Sequence, residues 1–329
     1  MFEKDKIRYA AECYPRRANS RKRILSSLLL LKEYETEWNM DFTMQDLDKL
    51  QAAFNNAVST SKVGAKNALT RFRKYAKWRT ENNLPCTQNV FKLEIDRLVS
   101  IRESMVSSPQ HLARILDIVF DDSVLGTMDV IYRIFLWMGF SGIDDIEAVT
   151  VTRQELDFKQ LLIRHNGNTY AMYRESRYDF RIACDLTDFL DEDAYISRSN
   201  GDTIMRGKSG KEPLTPSRYL LTVIRPTLAR KFELATQQNL DLDSPEDIGL
   251  DLSFHRVYMS GVFYRLYQQE LIGNPPDFYE YAQKEFEQTQ LSDKPYKISP
   301  TKNPKAAIIL RLKKKIETDY VIWKQAFNL

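Results

Sequence analysis

The stretch TMDVIYRIFLWMGF (residues 127–140) sets the tightest limit on what this chain can fold into. It is apolar nearly all round, and a helix of that kind must be covered on every side. Its apolar core, VIYRIFLWMGF, is interrupted by Arg133 and falls well short of the roughly 18–20 residues a membrane span needs. The segment predicts a central buried helix, and so a domain large enough to wrap it. The chain can supply that domain: 43% of its 329 residues are hydrophobic, with 17 Phe and 17 Tyr. The length suggests two domains, or three. Charged residues make up 28% and nearly cancel to +3, which excludes a disordered or supercharged chain and leaves nucleic acid neither required nor excluded. Cys13, Cys86 and Cys184 form no CxxC pair. With no apolar signal core in MFEKDKIRYAAECYPRR, the expectation is a protein of the reducing cytoplasm with no membrane partner.

Before that helix the periodicity is helical. RRANSRKR (16–23) carries five cations in eight positions, and Ile24, Leu25, Leu28, Leu31 and Trp38 then recur at helical spacing. DFTMQDLDKLQAAFNNA predicts a second helix capped at Thr43. In SKVGAKNALTRFRKYAKWRTENN, Ala65, Ala68, Leu69, Phe72, Tyr75 and Ala76 fall on one apolar stripe. Lys62, Lys66, Arg73 and Lys77 fall on an adjoining stripe with no acid until Glu81, and Arg71 lies on the same helix. Such a face is either solvated or suited to tracking phosphates. Breaks at NLPCTQN (83–89) and VSSPQ (106–110) place a boundary between about 84 and 110. The expected domains are therefore 1–100, all helical, and 101–329.

In the second domain, three short runs follow the buried helix: QLLIR, NTYAMYR and DFRIACD. Asn-Gly within HNGN (165–168) is a strong hairpin signal. ESRY (175–178) supplies the second turn, and Phe180, Ile182 and Cys184 alternate with Asp179, Arg181 and Ala183. These features predict a three-stranded antiparallel sheet over about 158–185. PSRYLLTVIRPTLARKFELATQQ predicts a helix bent by Pro226. A final helix over about 304–327 starts with Asn303 as cap and Pro304 in the first position. Its stripe of Ile309, Leu312, Ile316, Tyr320 and Trp323 could pack on its own chain or on a second copy. The fold class expected is mainly α with a small antiparallel β-sheet, in two domains.

Signatures of nucleotide or metal chemistry are missing. There is no GxxxxGK[ST], GxGxxG or HExxH, and three scattered histidines with three scattered cysteines leave no zinc site. No cofactor or metal is expected. GKSGKE (207–212) reads as a basic loop carrying Lys208 and Lys211.

Three segments carry a family resemblance: WMGFSGIDDIEAVTV (137–151), RESR (174–177) at the sheet's second turn, and LSFHRVYMSGVFYRLY (252–267). Together with the helical N-terminal half ending in RFRKYAKWRTENNLP, the chain over roughly residues 20–300 resembles the tyrosine recombinases, the phage integrase family. The resemblance implies the two-domain recombinase architecture, with a core-binding-like first domain and a catalytic-like second. It also implies a damaged catalytic set. With Gly139 as the motif glycine and Asp144 or Asp145 as the acid, the first catalytic arginine falls on Ser141. The hairpin lysine is missing, since no lysine lies between Lys159 and Lys208, and Arg174 or Arg177 stands there. In the HxxR motif the arginine is Arg256 and the leading histidine becomes Ser253, while a one-residue shift brings in His255. By distance the nucleophile would be Tyr296, with Tyr279, Tyr281 and Tyr320 as alternatives. Losing one oxyanion donor typically costs about 100- to 1,000-fold, and guanidinium is a poor general acid. What the resemblance then implies is a sequence-specific, DNA-binding transcriptional repressor of a temperate phage, similar to the integrase-shaped repressors of lysogeny of SPbeta-type phages. Its partner would be double-stranded operator DNA in the bacterial cytoplasm. Lys62, Lys66, Arg71, Arg73 and Lys77 would make contacts in the first domain. Arg174, Arg177, Lys208, Lys211, His255 and Arg256 would do so in the second. The alternative is a divergent, active recombinase using Tyr296.

Overall fold

The computed structural model describes residues 3–13, 15, 18–59, 65–120, 128–191, 194–207, 216–238, 252–290, 295–299, 302 and 304–329. They are mainly helical, with small antiparallel sheets of three and two strands. They divide into two compact units, one running to Glu103 and one starting at Ser104.

The first unit contains α1 (Glu3–Cys13), α2 (Ala18–Leu28), α3 (Lys32–Trp38), α4 (Leu47–Ser59), α5 (Ala65–Glu81), α6 (Asn89–Lys92) and all but the last residue of α7 (Arg97–Ser104). Its centre is α5, which buries the whole apolar stripe from Ala65 to Ala76. Phe42 packs on Phe72 at 4.4 Å and on Tyr75 at 5.7 Å between ring centroids, and Tyr9 meets Tyr75 edge-on at 5.4 Å. Two buried ion pairs cross this core, Lys6 with Glu35 and Arg79 with Asp41, the latter at 2.6 Å. Burial pushes the Glu35 carboxyl above its ordinary range, against the pull of Lys6. The cap expected at Thr43 is not there. Thr43 sits in a 3-10 turn (Phe42–Met44) capped by Asp41, and the Asp46 carboxylate accepts from Lys49 N at 3.1 Å at the start of α4. An aspartate one position before the helix outcompetes a threonine that is itself buried and held by Asp41 at 2.6 Å.

The second unit is built on α9 (Asp129–Ser141), in which every residue from Val130 to Ser141 is buried. Around it lie α8 (Pro109–Val119), α10 (Asp145–Ala148), α11 (Arg177–Asp185) and α14 (Phe254–Leu271). Gly142, at φ +102°, ends α9: its N–H donates to the carbonyls of Met138 and Gly139. Gly261 on α14 meets the α9 backbone directly, since a Cβ there would lie 1.9 Å from the Phe140 carbonyl oxygen. The neighbouring Ser260 accepts from Val106 N at 3.0 Å and donates to the Arg256 carbonyl at 2.7 Å. The Ser260-Gly261 pair is thus what lets the two central helices approach.

The sheet differs in membership from the expectation. Its strands are β1 (Leu156–Asp157), β2 (Leu162–His165) and β3 (Asn168–Ala171), all antiparallel. The Asn166-Gly167 turn has φ of +50° and +76°, the I′ geometry that Asn-Gly favours. DFRIACD, expected as the third strand, lies in helix α11 instead. The residues it buries are Asp179, Phe180, Ala183 and Cys184, a helical face. The alternating pattern misleads because Asp179 is an interior residue despite its charge: its carboxylate accepts from Arg133 Nε at 3.0 Å and from Trp137 Nε1 at 2.9 Å. A second hairpin, β4 (Asp188–Asp191) and β5 (Ala194–Ser197), follows where no element was expected.

Farther along, α12 (Pro216–Tyr219) runs through a π-turn (Leu220–Ile224) into α13 (Arg225–Gln238). The expected bend at Pro226 is taken up by this wider turn: proline lacks the N–H that a regular helix would use there. The chain ends with α15 (Phe278–Gln290) packed on α16 (Lys305–Ala326). Pro304 occupies the cap position rather than the first helical one, and Asn303 lies outside the described residues. The α16 stripe of Ile309, Leu312, Ile316, Tyr320 and Trp323 is buried, and Trp323 Nε1 donates to the Val106 carbonyl at 3.0 Å. The face that suggested self-association is therefore filled by its own unit. Among the described residues no helix is long and apolar enough to cross a membrane.

Candidate nucleic-acid interface

In the first unit, one side of α5 is committed to the core, with Arg79 buried there on Asp41, and the other side carries a run of exposed polar residues. Asn67, Thr70, Arg73, Lys74 and Lys77 are exposed in succession at helical spacing. Of the expected contacts, Arg73 and Lys77 lie on this face. The Arg73 guanidinium donates to the Leu93 carbonyl at 2.8 Å, which fixes its direction. Lys77 is 3.7 Å from Glu81 with both side chains mostly exposed, a pair too solvated to hold the ammonium. Arg71 differs: it is half-buried and donates to the Ser27 hydroxyl, so it serves the α2–α5 contact. Lys62 and the Lys66 side chain lie outside the described residues. Lys74 was missed by sequence reasoning, although its spacing of four from Thr70 and three from Lys77 puts it on the same face.

In the second unit, Arg174 and Arg177 are exposed and separated by three positions. They flank the entry to α11, and the intervening Glu175 accepts from Gln110. His255 and Arg256 are exposed in the first turn of α14, where Ser253 is the cap and accepts from Arg256 N at 3.3 Å. Lys208 and Lys211 lie outside the described residues. Ser141 is buried at the end of α9, and the cation beside that end is Arg265. Its Nη1 donates to the Phe140 carbonyl at 2.6 Å, and its Nη2 would lie 2.8 Å from a Cβ on Gly142. Arg265 is nine residues beyond Arg256, about 13 Å along the helix axis. The Phe140 bond ties α14 to the end of α9, and the Tyr173 and Tyr281 hydroxyls act on the Arg265 charge from nearby. Tyr296 is half-buried with its ring stacked on Phe286, centroids 5.9 Å apart and planes within 5°. Arg133 is buried between Asp179 and Asp117, the latter at 2.7 Å.

One histidine that sequence reasoning passed over lies in a polar network. His165 is buried, with Nδ1 2.9 Å from Glu155 and Nε2 3.2 Å from the Thr150 hydroxyl. The order Thr–His–Glu has the outline of a nucleophilic relay. Its hydroxyl, however, donates to the Glu147 carbonyl at 2.8 Å, and the Glu155 carboxylate is also bound by Thr152 N at 2.7 Å. The network ties the β2–β3 hairpin to the segment after α10. Among the described residues no group of His, Cys, Asp and Glu could hold a metal ion. No protein-family model matches the chain, and no curated protein matches it.

Proposed function

We propose that this protein is a sequence-specific double-stranded DNA-binding repressor of a temperate phage, built on a tyrosine-recombinase-like scaffold that does not cut DNA. The observation that carries the reading is the outward face of α5. Arg73, Lys74 and Lys77 lie there with Asn67 and Thr70, on a helix whose other side is fully buried. Cations at that spacing track phosphates, and amide and hydroxyl side chains between them can meet backbone or base edges. Arg174, Arg177 and Arg256 offer a second set of exposed cationic side chains in the other unit, with His255 exposed beside Arg256. Two covalently joined units gain affinity because the second binds at high effective concentration. Strand cleavage is the weaker reading because no lysine lies between Lys159 and Lys208, and the arginines at 174 and 177, at the entry to α11, hold their protons near neutral pH.

Mobility-shift titration of the full chain on operator regions of temperate phages, and on a random duplex library, tests the proposal. A complex that weakens steeply with salt is expected. Lys74→Ala and Lys77→Ala should each reduce the log–log salt slope by about one. Absence of any complex at low salt overturns the reading. A covalent adduct on a nicked suicide substrate, lost in Tyr296→Phe, replaces it with strand cleavage.

A further inference from the structure

The loop after β5 folds back on the segment after α10. Thr152 bridges Thr203, and Ile204 N donates to the Val151 carbonyl at 2.9 Å. Between that loop and the end of α11 lies a cavity of about 220 Å³, lined among others by Arg153, Gln154, Cys184, Asp202, Thr203 and Arg206. Two of these are guanidiniums. Arg206 uses Nε on the Thr203 carbonyl at 3.1 Å and Nη1 on the Ser199 carbonyl at 3.0 Å. Arg153 reaches Asp185 at 2.9 Å through Nη2 alone, with both side chains about two-thirds exposed. A third guanidinium, Arg198, is buried against the same loop. It donates to the carbonyls of Leu186, Arg206 and Ile204 at 3.1, 3.1 and 2.5 Å, and to that of Ala183. Among the described residues no carboxylate pairs with Arg198 or Arg206. Asp185 and Asp202 therefore leave the cluster of three arginines one cation in excess.

We propose that this cavity binds a small oxyanion, a phosphate or a carboxylate, held between Arg153 and Arg206. The guanidinium fork matches either anion in two-point geometry. The volume is below the roughly 300 Å³ at which drug-sized ligands begin to fit, so the occupant is an inorganic ion or a metabolite of similar size. The electrostatics agree. Burial, with the Arg206 charge adding to it, pushes Arg198 down to about 10, and an anion in the cavity would relieve that repulsion. The site lies within one unit and does not depend on DNA binding.

Thermal melting of the full chain without DNA, with inorganic phosphate or succinate against chloride at matched ionic strength, tests it. Saturable stabilisation in the millimolar range is expected from at least one anion, by linkage. The anion that saturates identifies the source. Arg153→Ala, whose side chain is 65% exposed, should leave the anion-free melt unchanged and weaken binding about tenfold, or 1.4 kcal/mol. Gln154→Ala, also exposed, should weaken binding too and carries the test if Arg153→Ala melts differently. Lys74→Ala on α5 should leave the anion-induced shift as it is in the wild type. No saturable effect from either anion overturns the proposal. So does an effect lost with Lys74→Ala but kept in Arg153→Ala and Gln154→Ala, which is diffuse binding to surface cations.

Discussion

Two regions of the second unit bury an arginine by opposite means. Beneath α9, Arg133 sits between carboxylates: Nε donates to Asp179 at 3.0 Å and Nη2 to Asp117 at 2.7 Å. Behind the β4–β5 hairpin, Arg198 meets only backbone carbonyls and the face of Phe189, 5.7 Å from its ring centroid. Burial opposes the charge in both. At Arg133 burial is the largest single influence, but Asp179 and Asp117 together outweigh it, and the affinity for the proton ends above normal. At Arg198 nothing does, and it falls to about 10. A carboxylate compensates charge, whereas carbonyls satisfy only hydrogen-bond geometry. The first region thus behaves as a closed ionic core. The second keeps a net positive charge next to a cavity.

The largest expected effect comes from opening the closed core. Asp179→Ala leaves Arg133 with the half-exposed Asp117 as its remaining carboxylate, its Nη1 already buried without a partner, and leaves Trp137 without an acceptor. Breaking a buried pair of this kind costs about 3–5 kcal/mol, measurable by urea denaturation. The double change Arg133→Met with Asp179→Leu should recover most of that loss, because it removes both charges and their desolvation together. Asp117→Asn, at a carboxylate 53% exposed, should cost less than about 1 kcal/mol. A double variant no more stable than Asp179→Ala would break the description of this region as an ionic core.

At Arg198 the same treatment should cost less. Arg198→Met leaves four carbonyls short of a donor, about 1–3 kcal/mol in the handling of buried unsatisfied groups, but it also removes an uncompensated charge. Arg198→Lys keeps the charge and loses the fork, so it should be at least as destabilising as the methionine. Urea midpoints for the three proteins decide it. A cost for Arg198→Met above that of Asp179→Ala would reverse the ranking of the two regions.

The two regions were unequally legible in the sequence. The apolar run that becomes α9, the α5 stripe and the Asn-Gly hairpin all follow from local periodicity and turn chemistry, and each appears where it was expected. The interior charges do not follow from such patterns. Arg79, Arg133 and Arg198 count as surface residues in any periodicity, yet all three are buried: Arg79 and Arg133 meet carboxylates from other elements, and Arg198 meets carbonyls of the loops around it. Asp179 shows the consequence: once its inward direction is hidden, a helical face looks like a strand. The candidate interface was half legible for the same reason. Arg73 and Lys77 point outward as the helical wheel requires, but Arg71 is turned aside by Ser27, a partner 44 positions away.

Glu270 offers the solvated counterpart to Asp179 and the smallest effect. Its carboxylate accepts from Lys324 Nζ at 2.8 Å and from the Tyr320 hydroxyl, joining α14 to α16, but its side chain is 41% exposed. The lysine first, and the tyrosine second, hold this carboxyl below the usual range. A carboxylate with a depressed folded-state value stabilises the fold above the unfolded value and loses that contribution as pH falls through the folded one. The stability conferred by Glu270 should therefore be full at neutral pH and fade below about 4.3, the ordinary glutamate value. Glu270→Gln should cost about 0–1 kcal/mol at pH 7, and the gap to wild type should close on acidification. If charge compensation matters only where water is excluded, this pair stays far below Asp179 in cost. A loss at pH 7 as large as that of Asp179→Ala, or a gap that widens in acid, would show that exposure does not separate them.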